Sequence, residues 1–192
     1  MKIVFRGVLV AAAALSVAAC GQNEPDAVGS AQDAASAPVG QTSAAVMGSN
    51  MVGAYVPNAA RGDMYEIQAA DIALERTRNP QIRELAQMIK ADHTAASEAM
   101  KPLAAQAAPD VEIPTDLDQR RQGLIDNLRS ASAEEFDRTW VSQQVAAHQE
   151  ALTLHRGFAD NTDAPALAEH ARTVTPKIEA HLQAAERLQS GM

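Results

Sequence analysis

The apolar residues of this chain recur with helical spacing along most of its length. The longest unbroken run is Ile82, Ala86, Ile89, His93, Ala96, Met100, Leu103, which steps by four and three without exception. Such an alternation marks one buried stripe of a long α-helix. It puts a histidine, preceded by Asp92, where a leucine would be expected. A second run of the same kind, Leu167, Ala171, Val174, Ile178, His181, Ala185, Leu188, again carries a histidine on the stripe.

Between and before these runs the chain divides into further helices. Asn50 suits the cap of a first helix reaching about Arg78, with Val52, Tyr55, Ala59, Gly62, Glu66, Ala69 and Ala73 on one face. Glu66 is the only charge on that stripe. Val56, Ala60, Met64, Ile67 and Leu74 widen the face, and Pro57 bends the helix or replaces its start. Asn79-Pro80 breaks the chain and opens the second helix, to about Ala107, and so short a connection requires antiparallel packing. Pro109 and Pro114 frame a loop, after which Thr115 and Asp118 open a shorter helix with Leu117, Leu124 and Leu128 on one side. Ser132 and Glu135 form a capping-box pattern ahead of a long helix bearing Phe136, Trp140, Val141, Val145, Leu152 and Phe158. Asn161 to Asp163 make the next turn, Pro165 suits the first turn of the last helix, and Pro176 should kink that helix shortly before His181.

The spacing therefore predicts an all-α fold: a four-helix bundle with one additional short helix, over residues 50–190. About 25 residues separate the second long helix from the third, enough for either an up-down-up-down bundle or an end-to-end crossover. Composition agrees with helices. Hydrophobic residues make up 46%, much of it alanine, and aromatics only 3%, which favours close helix packing over sheet. A net charge of −8 without a basic patch argues against a nucleic-acid partner.

Residues 1–19 read as a signal peptide: Lys2 and Arg6, an apolar stretch from Gly7 to Val17, then small residues up to Cys20. The stretch is too short to span a bilayer, which takes about 20 apolar residues. Leu15-Ser16-Val17-Ala18-Ala19-Cys20 resembles a bacterial lipobox, whose cysteine becomes the acylated first residue. The alternative is an ordinary secretory signal followed by an unrelated cysteine. Acyl chains on Cys20 would anchor the protein to a membrane, each buried methylene contributing about 0.8 kcal/mol. Gly21 in place of aspartate implies, by the same resemblance, sorting to the outer membrane facing the periplasm. Cys20 is the only cysteine, so a lipidated chain has no thiol left for a disulfide or a soft metal site. Residues 20–49 lack periodic apolar positions and read as a flexible tether with a reach of about 30 Å.

Helix register brings the polar stripe residues to one level. Glu66 and His93 lie nearly equally far from the Asn79 turn, so they face each other across the hairpin. His148 and His181 flank the Thr162 turn with an offset of about one helical turn. Asp137 stands about 16 Å from His148 along its helix and is excluded. His155 and His170 are equidistant from Thr162 and could pair near that end. His170 falls between stripe positions, which predicts a surface residue, whereas His155 follows His148 by seven and points inward.

Gly62-Asp63-Met64-Tyr65-Glu66, Ala91-Asp92-His93-Thr94, Phe136-Asp137-Arg138, Ala146-Ala147-His148 and Ile178-Glu179-Ala180-His181 resemble, in order and spacing, the bacterial envelope family called domain of unknown function 4142. The resemblance runs from about Met51 to Leu188 and implies a ferritin-like helical fold. Ferritin-like di-iron sites draw a glutamate from each of two helices and Glu-x-x-His from the other two. Here the residues three before the histidines are Lys90, Val145 and Ile178, which departs from that pattern. Glu66, His93, His148 and His181 would better suit a single Zn, Fe, Mn or Cu ion, with Asp92 and His155 as candidates to hydrogen-bond the ligands from behind. The competing expectation is a non-catalytic structural or interaction module of the envelope whose buried polar network holds no metal. No residue is assigned a catalytic role, and the methionines at helical spacing read as core filler.

Overall fold

The computed structural model describes residues 50–192. The segments read as a signal peptide and a tether, with Cys20, lie outside the described residues. Among the described residues five helices follow in order: α1 Val52–Arg76, α2 Pro80–Ala107, α3 Gln119–Ser130, α4 Phe136–Phe158 and α5 Pro165–Ser190. There is no strand among the described residues. No helix there is long and apolar enough to cross a membrane.

Local chemistry sets most of the boundaries. The Asn79 side chain accepts from the amides of Gln81 at 2.9 Å and Ile82 at 3.4 Å, so two of the donors left free at the start of α2 are satisfied. Asp118 does the same for the Arg121 amide at 2.8 Å. Ser132 and Glu135 bond reciprocally just before α4, side chain to side chain at 2.8 Å and amide to hydroxyl at 3.3 Å. The start of α1 differs from expectation. Met51, not Asn50, occupies the cap position and offers no side-chain acceptor. The Asn50 carbonyl instead accepts from the Asn161 side chain at 2.6 Å, tying the start of α1 to the turn before α5. Pro57, Pro102 and Pro176 lie inside α1, α2 and α5, each of which continues past its proline.

Contacts between helices fix the topology. On the α1–α4 face, Tyr55 meets His155 and stacks on Phe158 with ring centroids 3.9 Å apart. Further along the same face Tyr65 donates to Gln143 at 2.8 Å and the Trp140 indole to the Ala69 carbonyl at 2.9 Å. Rising numbers in α1 meet falling numbers in α4, so the two are antiparallel. Likewise Asp92 of α2 meets Lys177 and His181 of α5, and Gln81 shares a surface groove with Leu188. Neighbours around the bundle run α1, α2, α5, α4. With α1 up, α2 runs down, α4 down and α5 up. The segment joining α2 to α4 must therefore travel the length of the bundle, and it carries α3 along the α1–α4 face. One long crossover in a four-helix bundle is the ferritin-like arrangement, which decides between the two topologies the loop length allowed.

Three apolar clusters fill the bundle among the described residues: one built around Trp140, Tyr65, Ile82, Ile89, Ile125 and Leu128, a second around Tyr55, Phe158, Met100 and Leu167, and a small third of Leu152, Val174 and Ile178. Burying each large side chain contributes about 1.5 to 3 kcal/mol, and the many buried alanines of α1 let its neighbours approach closely. Between the clusters lies a polar layer of Asp63, Glu66, His93, Gln144, His148 and His181, every member 5% exposed or less.

Candidate metal centre

The layer takes His93 from α2, His148 from α4 and His181 from α5. Their ring centroids form a nearly equilateral triangle, 5.7 Å from His93 to His148, 5.7 Å from His93 to His181 and 5.3 Å from His148 to His181. One ligand atom from each lies within 4.8 Å of the other two. The strict stripes of α2 and α5 supply two of these rings, and the face Trp140, Gln144, His148, four residues apart, supplies the third.

Each ring is held from behind. His93 Nδ1 meets Asp63 Oδ1 at 2.8 Å, His148 Nδ1 meets the Gln144 carbonyl at 2.8 Å, and His181 Nε2 meets Asp92 Oδ2 at 3.1 Å. Carboxylate and carbonyl oxygens accept, so the facing ring nitrogens carry protons, and in a neutral ring the opposite nitrogen keeps its lone pair. Those opposite nitrogens, His93 Nε2, His148 Nε2 and His181 Nδ1, are buried without any hydrogen-bond partner. Asp92 is fixed in turn by Lys177 at 2.7 Å.

Electrostatics follow burial. Burial drives the proton affinity of His148 well below the ordinary histidine value, helped by His93 and His181. Burial also lowers His181 to about 4, again with His93, against the opposing pull of Asp92. For His93 burial disfavours the charged ring, yet the Asp63 hydrogen bond and the nearby Glu66, Asp63 and Asp92 charges outweigh it and leave the value raised. Glu66 is raised to about 7 by burial, with His93 and Gln144 pulling the other way. Gln144 lies close enough to act on that carboxylate, but its amide nitrogen and oxygen and Glu66 Oε2 lack a well-formed hydrogen bond. At neutral pH two of the three rings are firmly neutral, the state in which imidazole binds metal.

The predicted residues fall into place unequally. His93, His148 and His181 converge. Glu66 is buried beside them, with Oε1 3.7 Å from His148 Nδ1, but it is not in the group whose ligand atoms mutually approach. Asp92 lies behind His181. His155 shares a 3.1 Å hydrogen bond with the Tyr55 hydroxyl and borders the same cavities as His93, while burial and the neighbouring His170 and His93 lower it to about 3. The expectation of a surface His170 is corrected: it is 7% exposed and near enough to His155 to depress its proton affinity. It sits on α5 beside Leu167, Ala168 and Ala171, all buried, so the inward face of α5 is wider there than one stripe.

Two residues that sequence reasoning passed over complete the layer. Asp63 was hidden behind the choice of Met64 as an inward position, but Met64 is only partly buried and Asp63 is 5% exposed. Val56, Ala60, Asp63 and Ala70 hold helical spacing and would have revealed it. Gln144, fully buried, was legible from its place midway between Trp140 and His148.

Among solved structures the fold resembles one described as CopM in the Cu(II)-bound form, with a TM-score of 0.63 and 19% identity, covering 73% of this chain and 96% of that one. At that identity the likeness is one of fold. A search of curated proteins finds no match. The model of one family matches residues 37–188, starting before the described helices and ending within α5. The chain therefore belongs to the family described as Domain of unknown function (DUF4142).

Proposed function

We propose that this protein is an envelope lipoprotein whose bundle binds one transition-metal ion through His93, His148 and His181. The observation that carries the reading is the pairing of tied and free nitrogens: every ring has one nitrogen held by an acceptor and the other buried with nothing to bond. A network meant only to set helix register would gain by satisfying these groups, since each orphaned buried polar atom costs about 1 to 3 kcal/mol. An ion uses all three lone pairs at once. Bonds of about 2.0 Å at tetrahedral angles put ligand nitrogens about 3.3 Å apart, so ligand atoms lying within 4.8 Å of one another need to close by about 1.5 Å at most.

Three imidazoles suit copper and zinc better than manganese, which favours oxygen ligands, and Glu66 stands outside the converging group. Copper binds such sites most tightly among the common divalent ions, and the solved structure of similar fold is described as Cu(II)-bound. Copper is accordingly the ion of this proposal. Cys20 supplies the anchor, placing the bundle at the outer membrane on the periplasmic side.

The test is titration of metal-stripped full-length protein with Cu(II) and Zn(II) against a competing chelator. One equivalent should bind, with Cu(II) the tighter. His148→Ala should weaken binding by at least roughly tenfold while helix content by circular dichroism stays the same. Failure of both metals to bind, together with a melting curve unchanged by chelator, refutes the reading.

A further inference from the structure

A cavity enters the bundle between α1, α3 and α4 and ends on the polar layer. It exists because the facing positions of α1 and α4 are small: Ala59 and Gly62 on one side, Ala147 and Ala151 on the other. A Cβ added at Gly62 would meet no atom within 4 Å. At the inner end stand Glu66 and His93, both at least nine-tenths buried, with Glu66 Oε2 and His93 Nε2 unpartnered. At the outer end Arg120 and Arg121 are held by Glu150 at 2.8 and 2.7 Å. The volume open to the centres of water-sized molecules is about 40 Å³. At about 10 to 15 Å³ for one water, that is room for a molecule of about three heavy atoms.

The metal reading leaves something to be supplied. Structural zinc sites are closed by four protein ligands, and catalytic ones take three and leave one position open, a count that serves here as the guide. This layer offers three converging ligand atoms. We propose that the cavity seats a small exogenous ligand of two or three heavy atoms at the open position, with Glu66 as its polar partner. The inference rests on the metal reading. It adds that the centre is open and that its access lies on the α3 side, on the flank where His93 and Glu66 face the space.

Carbon monoxide, a neutral diatomic, is the probe, bound to full-length protein loaded with Cu(I) and read by the infrared C–O stretch. The parent should show one band. Glu66→Gln should move that band, because the charge and dipole beside the ligand change while the imidazoles stay. Ala151→Phe, which fills the cavity from α4, should lower carbon monoxide affinity by roughly tenfold or more with copper affinity kept. Ala147→Leu, one turn earlier on the same wall, serves if the phenylalanine variant does not fold. Absence of a band, or a band indifferent to Glu66→Gln with unchanged affinity in the filled variants, overturns the inference and leaves copper binding intact. A protein that takes up no copper refutes the metal reading separately. With no ion there is no open position, so that outcome overturns this inference as well, whereas copper uptake without a carbon monoxide band overturns this inference alone.

Discussion

Asp63 gives the sharpest test of how the site is held. Its carboxylate accepts from His93 Nδ1 at 2.8 Å, and each residue is 5% exposed, so neither can turn to water. Replacing it by leucine keeps an apolar side chain of similar reach and removes the acceptor. In the metal-free protein His93 is left with a buried N–H, costing about 1 to 3 kcal/mol, or more if the ring keeps a charge that Asp63 had balanced. In the metal-bound protein His93 loses the partner that fixes its tautomer and aims Nε2 inward. Removing such a supporting acceptor lowers metal affinity by about 10 to 100-fold, or about 1.4 to 2.7 kcal/mol. Asp63→Asn retains an oxygen acceptor at the same place and should fall between leucine and the parent. Urea unfolding of metal-free protein measures the first effect and chelator-competition titration the second. Asp63→Leu protein that binds copper as tightly as the parent would show that His93 is not oriented by this contact. Equal losses in the leucine and asparagine variants would assign the effect to charge alone.

Acid should destabilise the metal-free bundle. Four histidines with depressed values, His148, His155, His170 and His181, stay neutral when folded and take up protons when unfolded, so their contribution is complete above pH 6.5 and is lost as pH falls. Each adds at most about 1.4 kcal/mol per pH unit to that slope, and only between its unfolded and its folded value. His93 and Glu66, both raised, act in the opposite sense but are outnumbered. The melting temperature should therefore drop between pH 7.5 and 5, and a flat or rising one refutes the account. Ile89→Asp puts an unpartnered carboxylate at a position with no exposure and should abolish cooperative unfolding; a variant as stable as the parent would contradict the packing described. Cys20→Ser should leave the protein unacylated, and radiolabelled palmitate entering that variant would refute the lipobox reading.

By itself the sequence determined the helices and the depth of their polar residues. Strict spacing of four and three can be satisfied only by one buried helical face, so His93 and His181 had to point inward near the middle of α2 and α5. Capping chemistry at Asn79, Asp118 and Ser132 is local, acting within three residues, and was readable for that reason. Only the tertiary structure decided which inward groups meet. Asp63 and Glu66 are three residues apart and differ by about 60° around α1, so a modest rotation of that helix chooses which carboxylate faces His93. Packing of α1 against Trp140, together with the bond from its own Tyr65 to Gln143, sets that rotation, and it gives His93 to Asp63 while leaving Glu66 beside His148. The crossover was likewise beyond the sequence, because a long connection closes at nearly the same entropic cost in either topology. It is the burial of Leu124, Ile125 and Leu128 from α3 against α1 and α4 that holds the connection to its path.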